Sequence, residues 1–169
     1  KDPAASVRAE RMNRPEIALK CIAVQGENTR VEKIEQVATK FLAENPDPSA
    51  GLLVFCPFKG GLQVGVFSVV AHLSSSLRGV DVRFYVGGAE PWRDLAKYSK
   101  SGKWGGAKGS QGGDPVPDWA RDRQGRPIPW DQVKSRVQRD FISEGRESYR
   151  VLVATKAFGM GIDKPSIRC

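Results

Sequence analysis

Two rhythms of apolar residues alternate along the chain. Ile17 to Val24 is apolar and β-prone and predicts a first strand. After Gly26 come Val31, Ile34, Val37, Ala38, Phe41 and Leu42, a spacing that predicts an amphipathic helix. That helix should stop near Asn45-Pro46-Asp47-Pro48, because proline cannot continue it and restricts the residue before it. Leu52-Leu53-Val54-Phe55-Cys56 is a continuous apolar run, the pattern of a strand covered on both faces in a parallel sheet. A second helix is expected over Leu62 to Leu77, with Val66, Val69, Val70 and Leu73 on its stripe and Gly79 placed to end it. A strand over Val80 to Val86, a helix over Val133 to Phe141 and a strand over Tyr149 to Ala154 complete the series. Strands alternating with helices predict an α/β fold: an open parallel sheet, helices on both faces, and ligands at the carboxyl ends of the strands.

Residues 91–130 break this rhythm. The stretch is rich in glycine, proline and lysine, and it holds all four tryptophans, Trp92, Trp104, Trp119 and Trp130. It reads as an insertion. Its basic residues outnumber its acids by eight to four, which is half of the net charge of +8 carried by the whole chain. Such a mixture of tryptophan and lysine suits a surface that stacks bases and tracks a phosphate backbone, with Lys103 and Trp104 as its candidate contacts. The alternative is that these tryptophans pack on the domain or face a neighbouring one, since tryptophan is usually substantially buried.

At 169 residues the chain has room for one domain. Its basic balance favours a polyanionic partner, nucleic acid first among them. Cys21, Cys56 and Cys169 show no metal-binding spacing, and neither a zinc site nor a disulfide framework is expected. His72, the one histidine, leaves no material for a histidine-based triad and is expected to be structural. There is no apolar run of about 18 residues for a membrane span. No membrane partner and a reducing compartment, cytoplasmic or nuclear, are therefore expected.

The sharpest chemical signal lies near the end. The strand Val151 to Ala154 runs into Thr155-Lys156-Ala157-Phe158-Gly159-Met160-Gly161-Ile162-Asp163-Lys164-Pro165. Gly159 and Gly161 permit tight turns and close approach of a ligand. Thr155 offers a hydroxyl and an amide at the strand's carboxyl end, and Asp163 can accept hydrogen bonds from sugar hydroxyls. By chemistry alone an ordinary strand-to-loop corner would look the same.

The run Ala154 to Pro165 resembles motif V of RecQ-like superfamily 2 DNA helicases nearly residue for residue. Other pieces follow the family's order. Arg14-Pro15-Glu16-Ile17 resembles the entry into the second motor domain, and Leu53-Val54-Phe55-Cys56 resembles the motif IV strand. Tyr85-Val86-Gly87-Gly88-Ala89 and Gln138-Arg139-Asp140-Phe141 resemble a strand end and the helix before motif V. The resemblance implies a linker over residues 1–13 and a RecA-like three-layer second motor domain over 14–169, incomplete at its C-terminus. It also implies a missing first RecA-like domain as partner, with ATP and magnesium bound between the two lobes and single-stranded or forked DNA, or RNA, lying across both. Movement would run 3′ to 5′. Thr155 and Gly159 are then expected near nucleic acid, with Gly161 and Asp163 towards the nucleotide and the interdomain side.

The chain also departs from that pattern. Where the family carries a serine-arginine pair, it reads Cys56-Pro57-Phe58-Lys59, so a phosphate-binding hydroxyl is replaced and Lys59 alone keeps the charge. Neither a GxxxxGK[ST] loop nor a DExH-type acidic motif occurs, and the sequence ends before the position of motif VI and its arginines. By itself the chain is therefore expected to be inactive as an ATPase and to hold no metal. The competing function is a non-catalytic single-stranded nucleic-acid-binding module on a helicase fold. A Rossmann-type enzyme is disfavoured, because no GxGxxG follows the first strand.

Overall fold

The computed structural model describes residues 22–60, 64–88, 90–92, 94–95, 116–143 and 149–158. Helix α1 spans Glu27–Glu44 and buries Val31, Ala38 and Phe41. It stops where the prolines demand: both the backbone N–H and the Nδ2 of Asn45 donate to Phe41 O, at 3.0 and 2.9 Å, closing the last turn ahead of Pro46. Strand β1 (Leu52–Phe55) follows, then helix α2 (Val66–Ser76) and strand β2 (Val82–Tyr85). α2 buries Val66, Phe67, Val69, Val70, Ala71 and Leu73. Gly79, at φ +78, turns the chain out of it towards β2. A 3-10 turn at Asp118–Ala120, helix α3 (Trp130–Ile142), strand β3 (Val151–Ala154) and a final 3-10 turn at Lys156–Phe158 complete the order.

The three strands form one parallel sheet in the order β1-β3-β2. Leu52 and Val82 both pair with Val151, and Phe55 and Tyr85 both pair with Ala154, so the strands end level with one another. β3, in the middle, is buried at all four positions. β1 carries a similar apolar run, yet it is an outer strand among the described residues, and Phe55 at its end is 54 % exposed. The expectation that both faces of β1 are covered fails there, because an apolar run does not say whether a strand is central or outer. The first predicted strand is also not seen where it can be judged: Ile22 to Val24 have no strand conformation, and the remainder lies outside the described residues.

Adjacent residues of β2 reach different helices. Phe84 meets Phe67 of α2, with ring centroids 5.4 Å apart, whereas the adjacent Arg83 reaches Asp140 of α3 at 3.1 Å. Arg83 also pairs with Asp81 at 2.8 Å and lies 4.4 Å from the centroid of the Tyr149 ring. Asp140 collects Arg136 and Arg139 as well, at 3.7 and 3.1 Å, and is the one buried charged side chain among the described residues. Between α1 and α2, His72 Nε2 sits 2.5 Å from the Glu35 carboxylate. No helix among the described residues is long and apolar enough to cross a membrane.

Trp92 and Trp130 belong to the core, and Trp119 is half-buried against it. Trp92, Trp119 and Trp130 surround Phe84, with ring centroids 5.2 to 6.2 Å from it. The Trp130 indole N–H donates to Val86 O at 3.3 Å, just beyond β2. These three take the packing alternative rather than the base-stacking one, because β2 is an outer strand among the described residues and its aromatic side chain needs cover. Trp104 and Lys103 lie outside the described residues.

Candidate nucleic-acid interface

Because all three strands end level at Ala154, the residues after them share one edge. Cys56 to Lys59 leave β1, Val86 to Gly88 leave β2, and Thr155 leaves the middle strand between them. In an open parallel sheet this carboxyl edge is where ligands bind.

Thr155 is half-buried and fixed through its backbone. Its N–H donates to Tyr85 O at 3.1 Å and its carbonyl accepts from Phe158 N–H at 3.0 Å. The amide that the sequence offered to a ligand is therefore used by the sheet, while the hydroxyl is not engaged by any described residue. Lys156, next in the chain, is exposed. The turn is anchored by Phe158, which is buried against Tyr85 and Phe141 at centroid distances of 4.9 and 5.9 Å. Gly87 lets the neighbouring loop come close: a Cβ there would stand 3.2 Å from the Ala157 Cβ. Gly88, at φ +87, turns that loop away.

On the β1 side, Cys56 N–H donates to Ala154 O at 2.8 Å. Burial pushes its thiol up to about 11, so it stays protonated and is no nucleophile at neutral pH. Lys59 is at this edge as expected, but its ammonium pairs with Asp94 at 3.2 Å. The pair links the loop after β1 to the start of the tryptophan-rich stretch.

Of the residues singled out in the sequence, Thr155 and Lys59 are thus on the same edge of the sheet. Gly159, Gly161 and Asp163 lie outside the described residues. Sequence reasoning missed Asp94, whose pairing with Lys59 no local pattern announces. It also passed over Phe58, registered merely as a departure from a motif, and the anchoring role of Phe158, whose place between two glycines and a strand was the available signal. Among the described residues no group of His, Cys, Asp or Glu could hold a metal ion.

No family model, no curated protein and no solved structure matches the chain.

Proposed function

We propose that this chain is a RecA-like second motor domain of a RecQ-like ATP-dependent DNA helicase, supplying nucleic-acid contacts and one wall of an ATP site shared with a first lobe. The observation that carries the reading is the run Ala154 to Pro165, which begins at the carboxyl end of the central strand of a parallel sheet. A motif of this kind works only if its hydroxyl and glycines emerge where ligands reach the sheet, and Thr155 emerges there. The exposed Lys156 supplies a cation for a phosphate backbone, and Lys59, on the same edge of the sheet, would supply a second on exchanging Asp94 for phosphate.

In this reading Thr155 holds a phosphate through its hydroxyl, and Phe158 keeps the turn in place. ATP and magnesium would supply the driving hydrolysis when bound between the lobes, with Gly161 and Asp163 facing that side. The chain alone binds nucleic acid and does not turn over ATP.

The test is fluorescence anisotropy of a labelled single-stranded DNA titrated with the chain across a salt series. Binding that weakens with salt, with a log–log slope near −0.7 for each phosphate neutralised, is expected. No binding at about 50 mM salt contradicts the reading.

A further inference from the structure

The loop after β1 carries an aromatic ring that the fold does not use. Phe58 is 62 % exposed, the most exposed large apolar side chain among the described residues. Its backbone, by contrast, is firmly held. Phe58 O accepts from Val66 N–H at 3.0 Å and Lys59 O accepts from Phe67 N–H at 3.3 Å, which ties the loop to the first turn of α2. Two residues earlier, Cys56 N–H is bonded to β3, and Pro57 between them has a fixed φ. The ring is therefore presented outward by a held backbone at the sheet's carboxyl edge, one residue before Lys59, whose ammonium pairs with Asp94 at 3.2 Å.

We propose that Phe58 is a stacking platform for an unpaired base of a single-stranded nucleic acid, with Lys59 serving the adjoining phosphate. The inference rests on the nucleic-acid reading above and adds to it the contact that grips a base rather than the backbone. A base offers a flat π face and an anionic tether together, and this loop carries an exposed aromatic ring and a lysine at consecutive positions. The chain's net charge of +8 favours a polyanion as the occupant, and a phosphate would compete with the half-exposed Asp94 for Lys59. Holding the loop in advance lowers the ordering cost of the contact. Stacking of this sort tolerates any base, so the contact adds affinity without sequence preference.

The experiment compares two fluorescein-labelled probes, an oligothymidylate of about 12 nucleotides and an abasic oligomer with the same number of phosphates. Phe58→Ala should weaken binding of the oligothymidylate about tenfold and leave the abasic oligomer unchanged. Phe58→Tyr, which keeps the ring, should stay within about twofold of the parent chain. Lys59→Ala should weaken both probes alike. Because the ring is exposed, the alanine variant should keep its circular dichroism spectrum. If the alanine variant binds both probes as the parent does, Phe58 is no platform, although salt-sensitive binding would still uphold the nucleic-acid reading. If the parent chain binds neither probe at about 50 mM salt, the nucleic-acid reading itself falls and takes this inference with it.

Discussion

Replacing Asp140 with asparagine removes the negative charge around which Arg83, Arg136 and Arg139 are gathered. Asp140 is 2 % exposed, and the side chain of Arg83 is 11 % exposed, so this pair lies in a region of low dielectric. Breaking a buried pair by neutralising one partner costs about 3 to 5 kcal/mol. The lower end applies here. Arg83 keeps Asp81 and the Tyr149 ring, and Arg139, with a side chain 67 % exposed, can turn to water. A loss of about 3 kcal/mol is expected, which at a urea m-value of about 2 kcal/mol/M lowers the denaturation midpoint by about 1.5 M. Arg139→Ala, at the exposed end of the same cluster, should cost under about 1 kcal/mol. Urea titrations followed by tryptophan fluorescence measure both, since Trp119 lies against Arg83, 5.9 Å from ring centroid to guanidinium. An Asp140→Asn midpoint within about 0.3 M of the parent would refute the idea that this carboxylate clamps α3 to β2.

Three further outcomes are expected. Cys56 is held protonated in the fold, so its contribution to stability is complete below the thiol's ordinary value of 9.0 and is lost as pH rises towards about 11, at most about 3 kcal/mol in all. Tyr149, also raised by burial, should add a decline that starts near its own ordinary value of 10.0; Cys56→Val should therefore remove the earlier part of the alkaline loss, and identical melting profiles from pH 8 to 10 would count against this. Asp94→Asn frees Lys59 from a half-exposed pair and should raise single-stranded DNA affinity by up to about fivefold, an increase that Lys59→Ala cancels in the double variant. Replacing Lys103 and Trp104 together with alanine should weaken single-strand binding if the tryptophan-rich stretch lies on the nucleic-acid path; unchanged affinity at low and moderate salt would exclude that role.

Much of the fold was legible because periodicity reports local geometry. The stripes of α1 and α2, the stop at Asn45-Pro46 and the turn at Gly79 are all written within a few residues. What the sequence could not convey was relation at a distance. β1 and β3 have similar apolar runs, yet among the described residues one is outer and the other central, and only the pairing decides which. Composition left Trp92, Trp119 and Trp130 open to a surface or a packing role, and only the folded chain shows Phe84 as their partner. Asp140 was noticed only as part of the helix before motif V, because Arg83, which makes it a clamp, comes from β2. In the candidate site, Thr155 was legible through its motif, while the occupied amide, the Asp94 partner of Lys59 and the outward ring of Phe58 required the folded chain.

The central claim is that the carboxyl edge of the sheet is the nucleic-acid face. It is tested most directly by titrating the isotope-labelled chain with oligothymidylate and following its backbone amide resonances. The account predicts that the amides of Phe58, Lys59, Gly87, Thr155 and Lys156 move together and saturate with one affinity. Shifts confined to the outer side of α3 around Arg136 and Arg139, with the edge after β1 and β3 unmoved, would contradict it.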